Sequence, residues 1–209
     1  MAEITIYGLQ LSTYTRTARM ACVEKDVGYD LVEVEMGSPA HLAVHPFGKV
    51  PAMKHGDFTL YETAAITRYL DTTFPGGRLM PEDRKAAARA VQWASAVSDY
   101  AYQVMIRELV WQRVVVPMQG GQADEAIIKA AVPKLEHQLA VFDKALGDSA
   151  WLAGDALTTA DLFLAPILFY VGATPEGQAA LKSRNAVNRW FGAISERPSF
   201  KSTMPVLQK

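Results

Sequence analysis

Three stretches of this chain hold side chains whose types and spacing could do chemistry. In Gly8-Leu9-Gln10-Leu11-Ser12-Thr13-Tyr14-Thr15-Arg16 a serine stands where a β-like run gives way to a helical pattern. A hydroxyl there can cap the helix by accepting a backbone N–H, or serve an anion drawn to the positive helix end. The local residues alone favour the plain cap. In the second stretch, His45-Pro46-Phe47-Gly48-Lys49-Val50-Pro51-Ala52-Met53 leads through a short strand and a turn into Leu60-Tyr61-Glu62-Thr63-Ala64-Ala65-Ile66. Glu62-Thr63 at a helix start offers unpaired N–H groups, a hydroxyl and a positive dipole end, a set suited to a carboxylate, with Glu62 free to pair with an ammonium. The plainer alternative is that either residue simply caps the helix. By its type, Pro51 reads as a trans proline at a strand start, since only about 5–6% of X-Pro bonds are cis. Lys49 and His41 are the nearby cations, each of which also reads as a solvated side chain.

The third stretch, Trp151 to Leu162, has local capping chemistry. Thr158 as N-cap with Asp161 three residues on forms a capping-box variant, and Leu157 and Leu162 are spaced as a hydrophobic staple. Asp161 is therefore read as structural. Cys22, the single cysteine, falls on an apolar helical pattern and reads as packing. One cysteine allows no intrachain disulfide and no Cys-x-x-Cys pair. His41, His45, His55 and His137 show no ligand spacing with acidic or thiol partners, so no metal is expected.

The elements that must position these residues follow from periodicity. Ile4 to Tyr7 and Tyr29 to Val34 read as strands flanking a helix over Thr13 to Lys25, a parallel β-α-β unit. Pro51 to Lys54 and Phe58 to Leu60 flank the turn His55-Gly56-Asp57 as an antiparallel hairpin, and Glu62 to Phe74 is the next helix. Pro75-Gly76-Gly77 ends it, and the segment through Pro81-Glu82-Asp83 reads as a linker. Beyond it β patterning gives way to helices over roughly 84–116, 124–146, 159–170 and 184–196. The aromatics and methionines of the first of these, including Tyr102, Met105, Ile106 and Trp111, either wall an apolar pocket or form core.

Composition excludes several classes. A chain of 209 residues with half its residues apolar and a formal net charge of −1 is an ordinary globular protein, with nothing that favours nucleic acid or an anionic membrane. The apolar stretch Leu162 to Ala173 is too short to span a bilayer and contains Pro166. The start, Met1-Ala2-Glu3-Ile4-Thr5, lacks a basic region and an apolar core, so a cytosolic location is expected.

Taken together, the Val50-Pro51 and Glu62-Thr63 motifs resemble the glutathione site of the cytosolic glutathione transferase superfamily, in which a cis Val-Pro opens the third strand. The resemblance implies that the Val50 N–H and C=O turn outward to pair with the glutathione backbone as an added strand. Ser12 matches the sulfur-facing serine of the serine classes, especially the plant phi class and related bacterial enzymes. Tyr7 is the rival, because other classes use a tyrosine at the end of the first strand. The implied fold is an α/β thioredoxin-like domain over 1–76, which binds glutathione, followed by an all-α domain over 84–209, which forms a pocket for an electrophile. The implied activity is conjugation of the glutathione thiolate to an apolar electrophile, a detoxification chemistry carried out by a homodimer in which Phe47 enters the neighbouring subunit. Ser12 is then catalytic, and Lys49, Val50, Pro51, Glu62, Thr63 and His41 hold glutathione. His45 and Thr63 replace the asparagine and serine usual in the phi class, and the segment between Glu35 and His45 is shortened, which leaves the glycyl-carboxylate ligands open. Peroxidase action on organic hydroperoxides and a non-catalytic binding role on the same fold are the alternatives.

Overall fold

The computed structural model describes residues 3–205; Met1 and Ala2 of the N-terminal reading lie outside it. The described chain forms two compact units, one of 3–80 together with 195–205, the other Pro81–Ile194.

In the first unit, β1 (Ile4–Gly8) leads to α1 (Thr13–Glu24) and back to β2 (Tyr29–Glu33). A short helix α2 (Pro39–Val44) precedes β3 (Ala52–His55), β4 (Phe58–Tyr61) and α3 (Thr63–Thr73). The sheet order is β2-β1-β3-β4, with β1 parallel to β2 and antiparallel to β3, and β3 antiparallel to β4. This is the expected thioredoxin-like arrangement. Along β1, Ile4, Ile6 and Gly8 are buried while Thr5 and Tyr7 are half-buried, the period-2 alternation of a strand with one core face. Ile4 and Ile6 join Ala18, Met20, Met53, Ile66 and Leu70 in the core, and α1 packs against α3.

Helix α2 is absent from the sequence reading, as are the short helices over Pro175–Leu181 and Pro198–Ser202. Ser38 caps it, its side chain accepting from the His41 N–H, and Pro39 occupies the first turn. After α3 the chain is pinned back onto the same unit. The buried Lys25 ammonium donates to the Gly77 carbonyl at 3.0 Å and lies 3.4 Å from Asp71, which also accepts the Leu79 N–H at 2.7 Å. Gly76 lies so close to α1 that a side-chain carbon there would fall 2.7 Å from the Glu24 carbonyl oxygen.

Helix α10 (Pro198–Ser202) brings the chain back to the first unit. Arg197 donates to both carboxylate oxygens of Glu24, at 2.7 and 2.6 Å, and the Ser199 hydroxyl donates to one of them.

The second unit is helical: α4 (Arg84–Ala96), a π-wound helix over Val97–Val115, the short α5 (Val116–Met118), α6 (Glu125–Leu146), α7 (Thr159–Val171), α8 (Pro175–Leu181) and α9 (Asn185–Ser195). The π-winding is visible at its end, where the Val116 N–H reaches the Trp111 carbonyl five residues back. Helix α7 is buried on nearly every side, as the apolar run from Leu162 predicts. Asp161, fully buried, organises its start. One carboxylate oxygen accepts the Thr158 N–H at 2.8 Å and the Thr158 hydroxyl at 3.0 Å. The other accepts the Leu152 N–H at 2.9 Å and the Trp190 indole N–H at 2.8 Å. Burial pushes this carboxyl above its usual range against the pull of those bonds.

Two expectations follow. Asp161→Ala strands four buried donors, so unfolding should become easier by about 2–4 kcal/mol, more than the ~0.5–2 kcal/mol of a simple cap, as read from denaturant midpoints. Glu24 feels burial most strongly, which raises its pKa, but the Arg197 and Ser199 bonds and the Arg197 charge outweigh burial and leave the carboxyl below its ordinary 4.5. A depressed carboxylate contributes stability that is fully present above the unfolded value and is lost as pH falls through the folded one. Denaturant midpoints should therefore fall on acidification below about 4.5, and Glu24→Gln should lower the plateau and flatten that fall.

Candidate active site

The sheet register assembles the site. Tyr7 of β1 lies opposite Ala52 of β3, and Ala52 lies opposite Tyr61 of β4. One residue further, Gly8, Pro51 and Glu62 therefore stand at the same end of neighbouring strands, which run about 4.8 Å apart. That end gathers the loop to Ser12, the Val50-Pro51 step and the start of α3.

Ser12 is the N-cap of α1. Its Oγ accepts the Thr15 N–H at 3.2 Å, and its carbonyl accepts the Arg16 N–H at 2.9 Å. A hydroxyl has one proton and two acceptor lone pairs. Capping uses only a lone pair, so the half-buried Ser12 can still donate its proton. The cap and the anion donor, alternatives when read from residue types, are compatible in one side chain. Gly8 makes the tight turn into α1 possible, because a side-chain carbon there would lie 2.4 Å from the Thr15 hydroxyl oxygen. Tyr7 is half-buried in the strand, with the Lys54 ammonium 5.8 Å from its ring centre.

The Val50-Pro51 bond is cis. Pro51 is buried, Val50 half-buried and Lys49 exposed. His41 is buried and fully engaged: Nδ1 accepts the Gly37 N–H at 3.0 Å, which puts the ring proton on Nε2, and Nε2 donates to the Lys49 carbonyl at 2.8 Å. Both ring nitrogens thus serve the loop backbone beside Val50, and neither is left for a ligand carboxylate. His45 is also buried, its ring 5.0 Å from that of Tyr61 and its Nδ1 without a hydrogen-bond partner among the described residues. Burial lowers its pKa, outweighing the Glu62 carboxylate that raises it.

Glu62 precedes α3 with φ at 70°, left-handed for a residue that is not glycine, and its exposed side chain makes no cap bond. Such backbone costs of order 1–3 kcal/mol and persists where its surroundings enforce it, commonly at ligand sites. Thr63, buried, is the first residue of α3, where backbone N–H groups lack helical acceptors.

In the second unit, Met105 is fully buried core, whereas Tyr102, Ile106 and Trp111 keep part of their surface open. The Arg107 guanidinium lies 4.9 Å from the Trp111 ring centre. Burial raises the Tyr102 hydroxyl pKa, with Arg107 pulling the other way.

A glutathione S-transferase N-terminal domain model matches residues 6–78 and a glutathione S-transferase C-terminal domain model matches residues 95–198. Glutathione S-transferase F6 of Arabidopsis thaliana is 32% identical, covering 98% of this chain and 100% of that protein. The structure of glutathione S-transferase III in apo form superposes with a TM-score of 0.90 at 31% identity, covering 100% of this chain and 99% of that one. Glutathione S-transferase I from mais, solved with an atrazine glutathione conjugate, gives a TM-score of 0.88 at 28% identity over 97% and 96% of the two chains. The fold is a thioredoxin-like unit joined to a helical one, and the chain belongs to the glutathione S-transferase family, phi-like, as a transferase enzyme.

Proposed function

We propose that this transferase activates glutathione through Ser12 and adds its thiolate to apolar electrophiles. The observation that carries the reading is the register that brings Gly8, Pro51 and Glu62 to one end of the sheet. Val50 pairs with the cysteinyl backbone of an extended glutathione. Thr63, with its N–H and the α3 dipole, takes the γ-glutamyl carboxylate, and Glu62 pairs with the α-ammonium. Lys49 is the exposed cation for the glycyl carboxylate, and His41 acts indirectly, fixing the Lys49 carbonyl.

In this arrangement the sulfur faces the start of α1. The Ser12 O–H donates to the thiolate while Thr15 keeps the oxygen in place. A thiol of ordinary pKa, about 8.5, is thereby ionised more fully at neutral pH, each tenfold gain in its acidity requiring about 1.4 kcal/mol of preferential anion stabilisation. The thiolate then attacks an electrophilic carbon held nearby, forming a C–S bond. A leaving group such as halide departs with its electron pair or, in an epoxide or enone, the C–O or π bond opens and a proton is taken up from water. Proximity supplies much of the rate. Tyr102, Ile106 and Trp111, each with part of its surface open, are the helical unit's residues assigned to the electrophile; the mais relative was solved with an atrazine glutathione conjugate. A cytoplasmic location belongs to this reading. Separately, no described helix is long and apolar enough to cross a membrane.

Ser12→Ala should lower kcat at neutral pH much more than it changes the KM for glutathione, with the loss shrinking at alkaline pH. Tyr7→Phe should do much less. Thiolate absorbance of the enzyme–glutathione complex against pH checks this. A titration moved upward by Tyr7→Phe and untouched by Ser12→Ala would transfer the role to the tyrosine.

The working form is a homodimer, with Phe47 as the anchor into the second copy. Phe47 is 69% exposed, in the loop that leads to Val50-Pro51. Light scattering should give about twice the 22.9 kDa chain mass, and Phe47→Ala should weaken association.

A further inference from the structure

The residues that close the first unit grip the helix that carries Ser12. Arg16, one turn into α1, is 1% exposed. Its Nη2 donates to the Phe200 carbonyl at 3.0 Å, its Nε lies 3.4 Å from the Thr203 hydroxyl, and its guanidinium sits 4.1 Å over the Phe200 ring. At the far end of the same helix, Arg197 and Ser199 hold Glu24. Both ends of α1 are thus tied to one short segment more than 170 residues away in sequence.

We infer that residues 197–203 form a strap that sets the position of α1, and that Arg16 is the positioning residue through which the strap aims the Ser12 hydroxyl. The inference rests on the assignment of Ser12 as the donor to sulfur. The link is short: the Arg16 N–H is bonded to the Ser12 carbonyl, so the residue clamped by Phe200 and Thr203 is the one that closes the first helical turn on Ser12. The Ser12 oxygen is held in that turn by Thr15, whose own hydroxyl packs against Gly8. The first turn is therefore fixed by β1 on one side and by the strap on the other. Loosening the strap leaves Ser12 chemically intact but less well aimed, and an error of about 1 Å in such a group can cost as much as a hundredfold in rate.

A purely structural role would change stability without moving the ionisation of bound glutathione. The test is the thiolate titration of the glutathione complex for the full-length wild type, Ser12→Ala, Arg16→Met, Phe200→Leu and the double variant Ser12→Ala/Arg16→Met, with circular dichroism to verify folding. Arg16→Met and Phe200→Leu should each move the titration to higher pH. For Arg16→Met the midpoint should rise by roughly one pH unit, seen as a fall of about three- to tenfold in kcat at neutral pH, with the KM for glutathione changed by less than about twofold. In the Ser12→Ala background, Arg16→Met should produce no further rise, because the hydroxyl it positions is gone. A rise that persists in that background would mean that the Arg16 charge acts on sulfur directly, and positioning would be wrong. If Ser12→Ala moves the titration while the folded Arg16→Met and Phe200→Leu proteins leave it unchanged, the strap has no role in catalysis. If Ser12→Ala leaves it in place, the failure lies in the Ser12 assignment itself and the strap's role falls with it. Should Arg16→Met fail to fold, Phe200→Leu, which keeps an apolar side chain, decides the question alone.

Discussion

A serine hydroxyl carries one proton and two lone pairs, and this site depends on how they are shared out. The α1 start needs an acceptor for its orphan N–H groups, and a thiolate needs a donor. Ser12 meets the first need with a lone pair, through Thr15, which leaves its proton for the second, the role we propose for it. The positive end of α1 favours the same anion, so cap, dipole and donor act in one direction. The geometry of the first unit then reduces to placing that helix end: Gly8 lets β1 approach Thr15, α3 packs along α1, and residues 197–203 hold it at both ends.

The site and the core obey different rules. Around Asp161 every donor converges on a carboxylate that touches no open surface, an arrangement that holds the start of α7. At the end of the sheet that holds Gly8, Pro51 and Glu62 local rules are broken: Glu62 occupies left-handed backbone, and His45 buries a nitrogen with no partner among the described residues. Each costs free energy, offset by the apolar core of Ile4, Ile6, Met53, Ile66 and Leu70 beneath the same strands. Departures of this kind are expected where ligand binding rather than stability sets the geometry.

Features decided within a few residues were legible in the sequence. The parallel β-α-β unit, the hairpin and the Thr158-Asp161 cap follow from periodicity and spacing, and each is present. The cis Val50-Pro51 bond was legible only through the family resemblance, since proline type alone favours trans. Helix α2 left a signal, Ser38-Pro39, but its six residues are too few for a periodic pattern. The π-winding of Val97–Val115 leaves the helical apolar pattern nearly unchanged and gave no sign. His41 reads as a cation by type, yet the Gly37 N–H and the Lys49 carbonyl, placed by the fold, make it a neutral clamp. The grip of Phe200 and Thr203 on Arg16 joins the two ends of the chain, and no local spacing encodes it.

The most direct test of the account is a high-resolution crystal structure of the protein with glutathione bound. The sulfur should lie within hydrogen-bonding distance of Ser12 Oγ while the bond from the Thr15 N–H to the same oxygen is retained, one hydroxyl serving both partners. A sulfur facing the Tyr7 hydroxyl, or a Ser12 that has given up Thr15 to reach the ligand, would contradict it.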